Sequence, residues 1–120
     1  MSAAAPAAHA ADRDAFLSHL AHERQLSPRT VDGYGRDLDR FLAQLGTSVP
    51  LADVDTHRVR AFVAAEHRRG CGGRSIARAL SALRTFYDWL AREGRVQRNP
   101  AAIVPGAEGD DAEPQITLTV

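Results

Sequence analysis

The side chains best placed to do chemistry in this chain are arginines. All 15 basic residues are arginine and none is lysine. Between residues 74 and 92, Arg74, Arg78, Ser81, Thr85 and Arg92 recur at helical spacing. On an α-helix they fall within about 40° of one line. Apolar Ile76, Leu80, Leu83, Tyr87 and Leu90 take the opposite side, with Ala79 and Phe86 flanking. Arg84 sits on the flank of the stripe and Asp88 interrupts it. A second set, Arg29, Arg36 and Arg40, shares a face away from the apolar stripe of Val31, Tyr34, Leu38, Phe41, Leu42 and Leu45. Guanidinium groups pair with phosphate oxygens or fork onto a guanine edge, and hydroxyls donate to phosphate. Arg29 and Thr30 fall in the first turn of their helix, where free N–H groups and the positive dipole end favour an anion. For Arg36 and Arg40, pairing with Asp32, Asp37 or Asp39 on a solvated helix explains the pattern equally well.

Other chemistries find no constellation. His19, His22, His57 and His67 have no ligand spacing to a cysteine or to paired carboxylates, and His9 falls in the Ala-rich start. Gly70-Cys71-Gly72-Gly73 lacks the lysine and the preceding strand of a phosphate loop. The single cysteine, Cys71, reads as a small buried or half-buried residue. Neither catalytic nor metal-ligating residues are assigned, and no cofactor or small-molecule ligand is expected.

These faces need elements to hold them. The chain has 120 residues, 44% hydrophobic and 25% charged, enough for one ordinary core. No apolar run approaches the ~20 residues of a membrane span, and residues 1–11 lack the basic start of a signal peptide. The expectation is a cytoplasmic monomer. Residues 1–11 read as a disordered leader, with Asp12 capping a helix over 13–24 that turns Phe16, Leu17, Leu20 and Ala21 inward. Ser27-Pro28 opens the second helix, which Gly46 ends. Gly33 and Gly35 lie inside it, each costing up to ~1 kcal/mol against alanine. That cost is either simply tolerated or offset by close approach of another backbone or a phosphate. Leu51 and Val54 should cover the core. Asp55 or Thr56 caps a third helix over 57–69, with Val59, Phe62 and Val63 inward, and a fourth runs over 74–93. Asn99-Pro100 makes a turn. The pattern predicts a compact all-α, four-helix body over 12–105, and a flexible acidic tail over 106–120. In the tail, Ile116, Leu118 and Val120 alternate without a partner strand.

Zero net charge conceals an asymmetry. From Ser27 to Arg98 there are 13 arginines against 8 acids, whereas residues 106–120 carry four acids and no arginine. Such asymmetry is a hint of nucleic-acid contact, whereas a solvated Arg/Asp surface is the commoner meaning of a mixed charge pattern.

Leu26-Ser27-Pro28-Arg29-Thr30-Val31, Tyr34, Arg36-Asp37-Leu38 and Phe41-Leu42 resemble the second helix of the N-terminal domain of Xer-type tyrosine recombinases, close to the XerC branch. Arg74-Ser75-Ile76-Ala77-Arg78-Ala79-Leu80-Ser81-Ala82-Leu83-Arg84, followed by Phe86-Tyr87 and Trp89-Leu90, resembles its fourth helix. Glu93-Gly94 and Asn99-Pro100-Ala101 resemble the closing segment. The resemblance covers about residues 12–104. It implies a SAM-like core-binding domain that forms half of a clamp on duplex DNA, with the second and fourth helices in the major groove. The enzyme would resolve chromosome dimers before cell division, alongside a partner recombinase subunit. The DNA-facing residues it implies are Arg29, Thr30, Arg36, Arg74, Ser75, Arg78 and Arg84. Gly72 stands where the family usually has a capping serine, and an acidic tail where it has a basic linker. The family's catalytic domain, with its arginines, lysine, histidines and tyrosine nucleophile, has no counterpart to match here. This chain alone is therefore expected to be non-catalytic. The competing class is a helical protein-interaction module, or a truncated regulator without its own DNA site.

The tail supplies a test. Truncation after residue 105 raises the net charge from 0 to +4. The truncated chain should bind duplex DNA more tightly at low salt in an anisotropy titration. The gain should fade as screening sets in near a ~10 Å Debye length at 0.1 M. Equal affinities at low salt would remove any role for the tail charges.

Overall fold

A computed structural model describes residues 4–46 and 49–104. Among the described residues four helices follow one another: α1 (Ala4–His22), α2 (Pro28–Leu45), α3 (Thr56–Arg68) and α4 (Gly73–Arg92), with a 3₁₀ turn at Leu51–Asp53 between α2 and α3. The fold is all-α. The acidic tail and its alternating Ile116, Leu118 and Val120 lie outside the described residues.

The helix ends follow from local chemistry. Ser27 is extended, and its hydroxyl accepts the Thr30 backbone N–H at 3.1 Å while Pro28 occupies the first helical position. Gly46, at φ +86°, ends α2 by donating its N–H to the Leu42 carbonyl. Asp55 caps α3 by accepting the Arg58 N–H at 3.0 Å. Gly72 precedes α4 with no side-chain cap.

The start of α1 departs from expectation. The helix begins at Ala4, so residues 4–11 of the expected leader are helical, and Asp12 lies within the helix rather than capping it. Alanine has the highest helix propensity, and Pro6 falls in the first turn, where a missing N–H removes no intrahelical bond. His9 is buried, not in a free leader. The Asp12 carboxylate instead accepts from Arg95.

Helix α4 is the central beam. Ile76, Ala79, Leu80, Ala82, Leu83, Phe86, Tyr87, Trp89 and Leu90 are all buried along it, so about half of its circumference is covered. From α1 come Phe16 and Leu20, from α2 Leu38 and Phe41, and from α3 Val59 and Phe62. Phe86, expected at the flank, is fully buried, its ring 5.1 Å from that of Phe16. Phe41 and Phe62 meet edge to face at 5.5 Å. Tyr34, expected in the core, packs against it from the rim and is half-buried; a fully buried phenol needs a hydrogen-bond partner. Tyr87 has one: its hydroxyl donates to the Leu51 carbonyl at 3.0 Å. Burial pushes the Tyr87 phenol pKa up. Leu51 and Val54 cover the core as the sequence predicts.

After α4 the chain folds back, burying Val96, Ala101 and Val104. The Asn99 side-chain amide N–H donates to the Arg84 carbonyl at 2.8 Å and to Asp88 at 3.2 Å. Its oxygen accepts the Ala101 N–H at 2.9 Å. Arg84 donates to the carbonyls of Ala101 and Val104, and the Thr56 hydroxyl donates to that of Pro100. Asn99→Ala removes three of these bonds at once. It should lower the unfolding free energy by about 2 kcal/mol, read as a fall in the urea midpoint with an unchanged m-value. An unchanged midpoint would mean that the apolar contacts alone hold the strip.

Candidate nucleic-acid interface

One arginine of the α4 face, Arg78, reaches across the seam between α2 and α4 to the face of α2 that carries Arg29 and Arg36. On α2, Arg29, Gly33 and Arg36 lie at i, i+4 and i+7, along one face. The Arg78 side chain from α4 crosses over Gly33. A Cβ built at Gly33 would touch Arg78 Cδ and Nε at 3.6 Å, an ordinary contact. Beyond Gly33 the guanidinium reaches Asp37: Nε donates to Oδ2 at 2.8 Å and Nη2 to Oδ1 at 2.9 Å. The Asp37 side chain is only 1% exposed, whereas that of Arg78 is 44% exposed. Hydrogen bonding to Asp37 raises the Arg78 pKa further, so its charge is permanent.

Asp37 also accepts from Arg40 Nη2 at 2.6 Å, and Arg40 Nε continues to Glu66 on α3 at 3.0 Å. Arg69 closes on the other side of Glu66, with both contacts at 3.4 Å. Cys71, half-buried as expected, accepts from Arg69 at 3.1 Å and donates to Glu66 at 3.6 Å. Two buried carboxylates and three arginines thus tie α2, α3 and α4 together. Sequence reasoning did not find this network. The Asp37–Arg40 spacing is a visible i, i+3 pair, but the Asp37–Arg78 link spans 41 residues.

The sequence candidates divide into groups. Arg29, Arg36 and Arg74 are exposed and make no side-chain hydrogen bond or ion pair among the described residues. Arg40 is fully engaged, and Asp39 pairs with Arg13 from α1 at 2.7 Å. Of the two arginines for which intramolecular pairing competed, Arg40 is therefore paired and Arg36 is not. Thr30 is half-buried, its hydroxyl accepting that of Ser27 at 3.0 Å, and Ser75 is half-buried at the start of α4. Arg84 does not join the seam group: its guanidinium holds the Ala101 and Val104 carbonyls, because the chain folds back across its end of α4. The glycines serve different ends. Gly33 is the seat of the Arg78 guanidinium. Gly35 lets α1 come close, since a Cβ there would lie 3.1 Å from Leu17 Cδ1 and from Arg13 Nη2. No helix is long and apolar enough to cross a membrane among the described residues.

Four helices in this order, packed around α4, make one all-α domain. The chain belongs to the family described as phage integrase, N-terminal SAM-like domain, which matches residues 14–94. It is 51% identical over 94 residues to Tyrosine recombinase XerC of Pseudomonas aeruginosa, covering 76% of this chain and 31% of that protein. It is 45% identical over 108 residues to Tyrosine recombinase XerC of Azotobacter vinelandii, covering 88% of this chain and 36% of that protein. With the Xanthomonas campestris protein of the same name it shares 42% identity over 103 residues, covering 84% of this chain and 32% of that protein. The chain spans about a third of the length of these curated relatives. No solved structure matches.

Glu66 makes the network sensitive to acid. Burial pushes its carboxyl pKa up, but hydrogen bonds from Arg69 and Arg40 and their charges outweigh this and hold it below its ordinary 4.5. The unfolded chain therefore binds this proton more readily than the folded one. The stabilisation is complete above the ordinary value and is lost as pH falls through the depressed one. Urea midpoints should fall as pH drops below 4.5. Glu66→Gln should flatten that part of the profile while lowering the plateau at neutral pH. An equally steep acid limb in the variant would assign it to other carboxylates.

Proposed function

We propose that this chain is the DNA-gripping domain of a Xer-type tyrosine recombinase, with α2 and α4 presented to the major groove of a duplex. The observation that carries the reading is that Arg29, Arg36 and Arg74 are exposed and make no ion pair among the described residues, on the two helices that Arg78 links through Asp37. Thr30 and Ser75 add hydroxyls in the first turns of those helices. Unpaired arginines attract phosphates along the whole duplex, and only a fork onto a base edge discriminates sequence. The seam then supplies mainly register and orientation. In the intact recombinase, strand cleavage falls to catalytic-domain residues, and a partner subunit occupies the neighbouring half of the recombination site. The cellular role that fits is resolution of chromosome dimers before division, in the cytoplasm.

One domain of a clamp makes only part of the phosphate contacts, so affinity should be roughly micromolar or weaker at physiological salt. Anisotropy titrations across a salt series test the reading. Arg29→Ala and Arg74→Ala should each weaken binding across unrelated sequences and lower the log–log salt slope by about one. No binding at low salt, or variants with the slope of the parent chain, would instead favour an acidic protein as the partner of this face.

A further inference from the structure

Asp37 is out of place on a surface meant for phosphates. It lies one turn beyond Gly33 on the face of α2 that carries Arg29 and Arg36, where a carboxylate repels the backbone of DNA. Two readings of its ion pair with Arg78 are opposed: either Asp37 withdraws Arg78 from the seam, or it fixes Arg78 there.

The geometry favours fixing. A guanidinium has five N–H donors in a planar fork. The bidentate contact with Asp37 uses one on Nε and one on Nη2. Both N–H groups of Nη1 and the second of Nη2 remain. The carboxylate is buried at 1% exposure, whereas Arg78 stays 44% exposed, so the acid lies beneath the base rather than beside it. Arg40 pairs with the same carboxylate, so Asp37 presents little net charge outward. Gly33 gives the guanidinium a flat seat, with Nε and Cζ at 3.6 and 3.8 Å from where a Cβ would stand. Helical spacing then puts Arg29 and Arg36 on either side of that seat and Arg74 one turn earlier on α4.

We propose that Asp37 is a positioning residue, which holds the Arg78 fork in one orientation so that its remaining N–H donors face a phosphate at the centre of the seam. The proposal rests on the DNA-binding reading above. An arginine fixed on folding loses little further freedom on binding, whereas Arg29, Arg36 and Arg74 must still be ordered by the ligand. Arg78 thereby sets the register, and the other three follow.

The full chain is titrated by anisotropy against a fluorescein-labelled random-sequence duplex, with folding checked by circular dichroism. Asp37→Asn should weaken binding about tenfold, the worth of one well-oriented charge-assisted hydrogen bond, although it removes a negative charge from the seam. In an Arg78→Ala background the same change should have no further effect. Arg78→Lys keeps the charge but cannot make the fork, and should weaken binding as Asp37→Asn does; it decides the matter if Asp37→Asn fails to fold. In NMR spectra of the free protein, the Arg78 Nε–H should be ordered, and disordered in Asp37→Asn, while Arg74 is disordered in both. Undiminished or tighter binding by Asp37→Asn, an equal loss in both backgrounds, or a fully active Arg78→Lys would overturn the positioning role alone. A parent chain that binds no duplex at low salt would overturn the DNA-binding reading and this role with it.

Discussion

A carboxylate buried at the junction of three helices must be neutralised or the junction does not form. Asp37 meets that demand with Arg78 from α4 and Arg40 from its own helix. Arg40 passes the constraint on to Glu66 of α3. Removing one partner of such a group leaves an uncompensated charge, which is far worse than never having buried the pair. The apolar core fixes how closely α2, α3 and α4 pack. The apolar stripes set which face of each turns inward, and the charge network adds directional contacts that narrow the rotation further. The rotation of α2 and α4 decides whether their arginines converge or diverge, so the seam depends on this network.

Much of the fold was legible because helices announce themselves locally. Ser27-Pro28, Asp55 and Gly46 do what their types imply, and the stripe from Val31 to Leu45 needed only a count of residues. The misreadings have local causes too. Asp12 looks like a cap, but an alanine-rich stretch ahead of it can simply continue the helix to Ala4. Phe86 and Ala79 look like flanks because a single stripe suggests a helix covered on one side, whereas α4 is covered on several.

The candidate site was legible as a composition of faces and illegible as a set of contacts. Helical spacing placed Arg29, Arg36, Arg74 and Arg78 on outward lines correctly. It could not show that Arg78 crosses to Asp37, 41 residues away, or that Arg84 turns to carbonyls beyond the end of its helix. Those partners are near only after folding. Asp37 itself was visible as one acid among several on α2, with nothing in its neighbourhood to mark it as buried.

The clasp at the end of α4 has a mechanical meaning. Arg84 and Asn99 fasten the segment up to Val104 to the same helix that carries Arg74 and Arg78. The chain therefore leaves the described body at a point indexed to that helix, not from a swivel. Two side chains, Arg84 on the helix and Asn99 on the strip, make that tie. The arginine-bearing helix and the last described residues thereby share one frame of reference, in which the place of Val104 is set relative to the helix of Arg74 and Arg78.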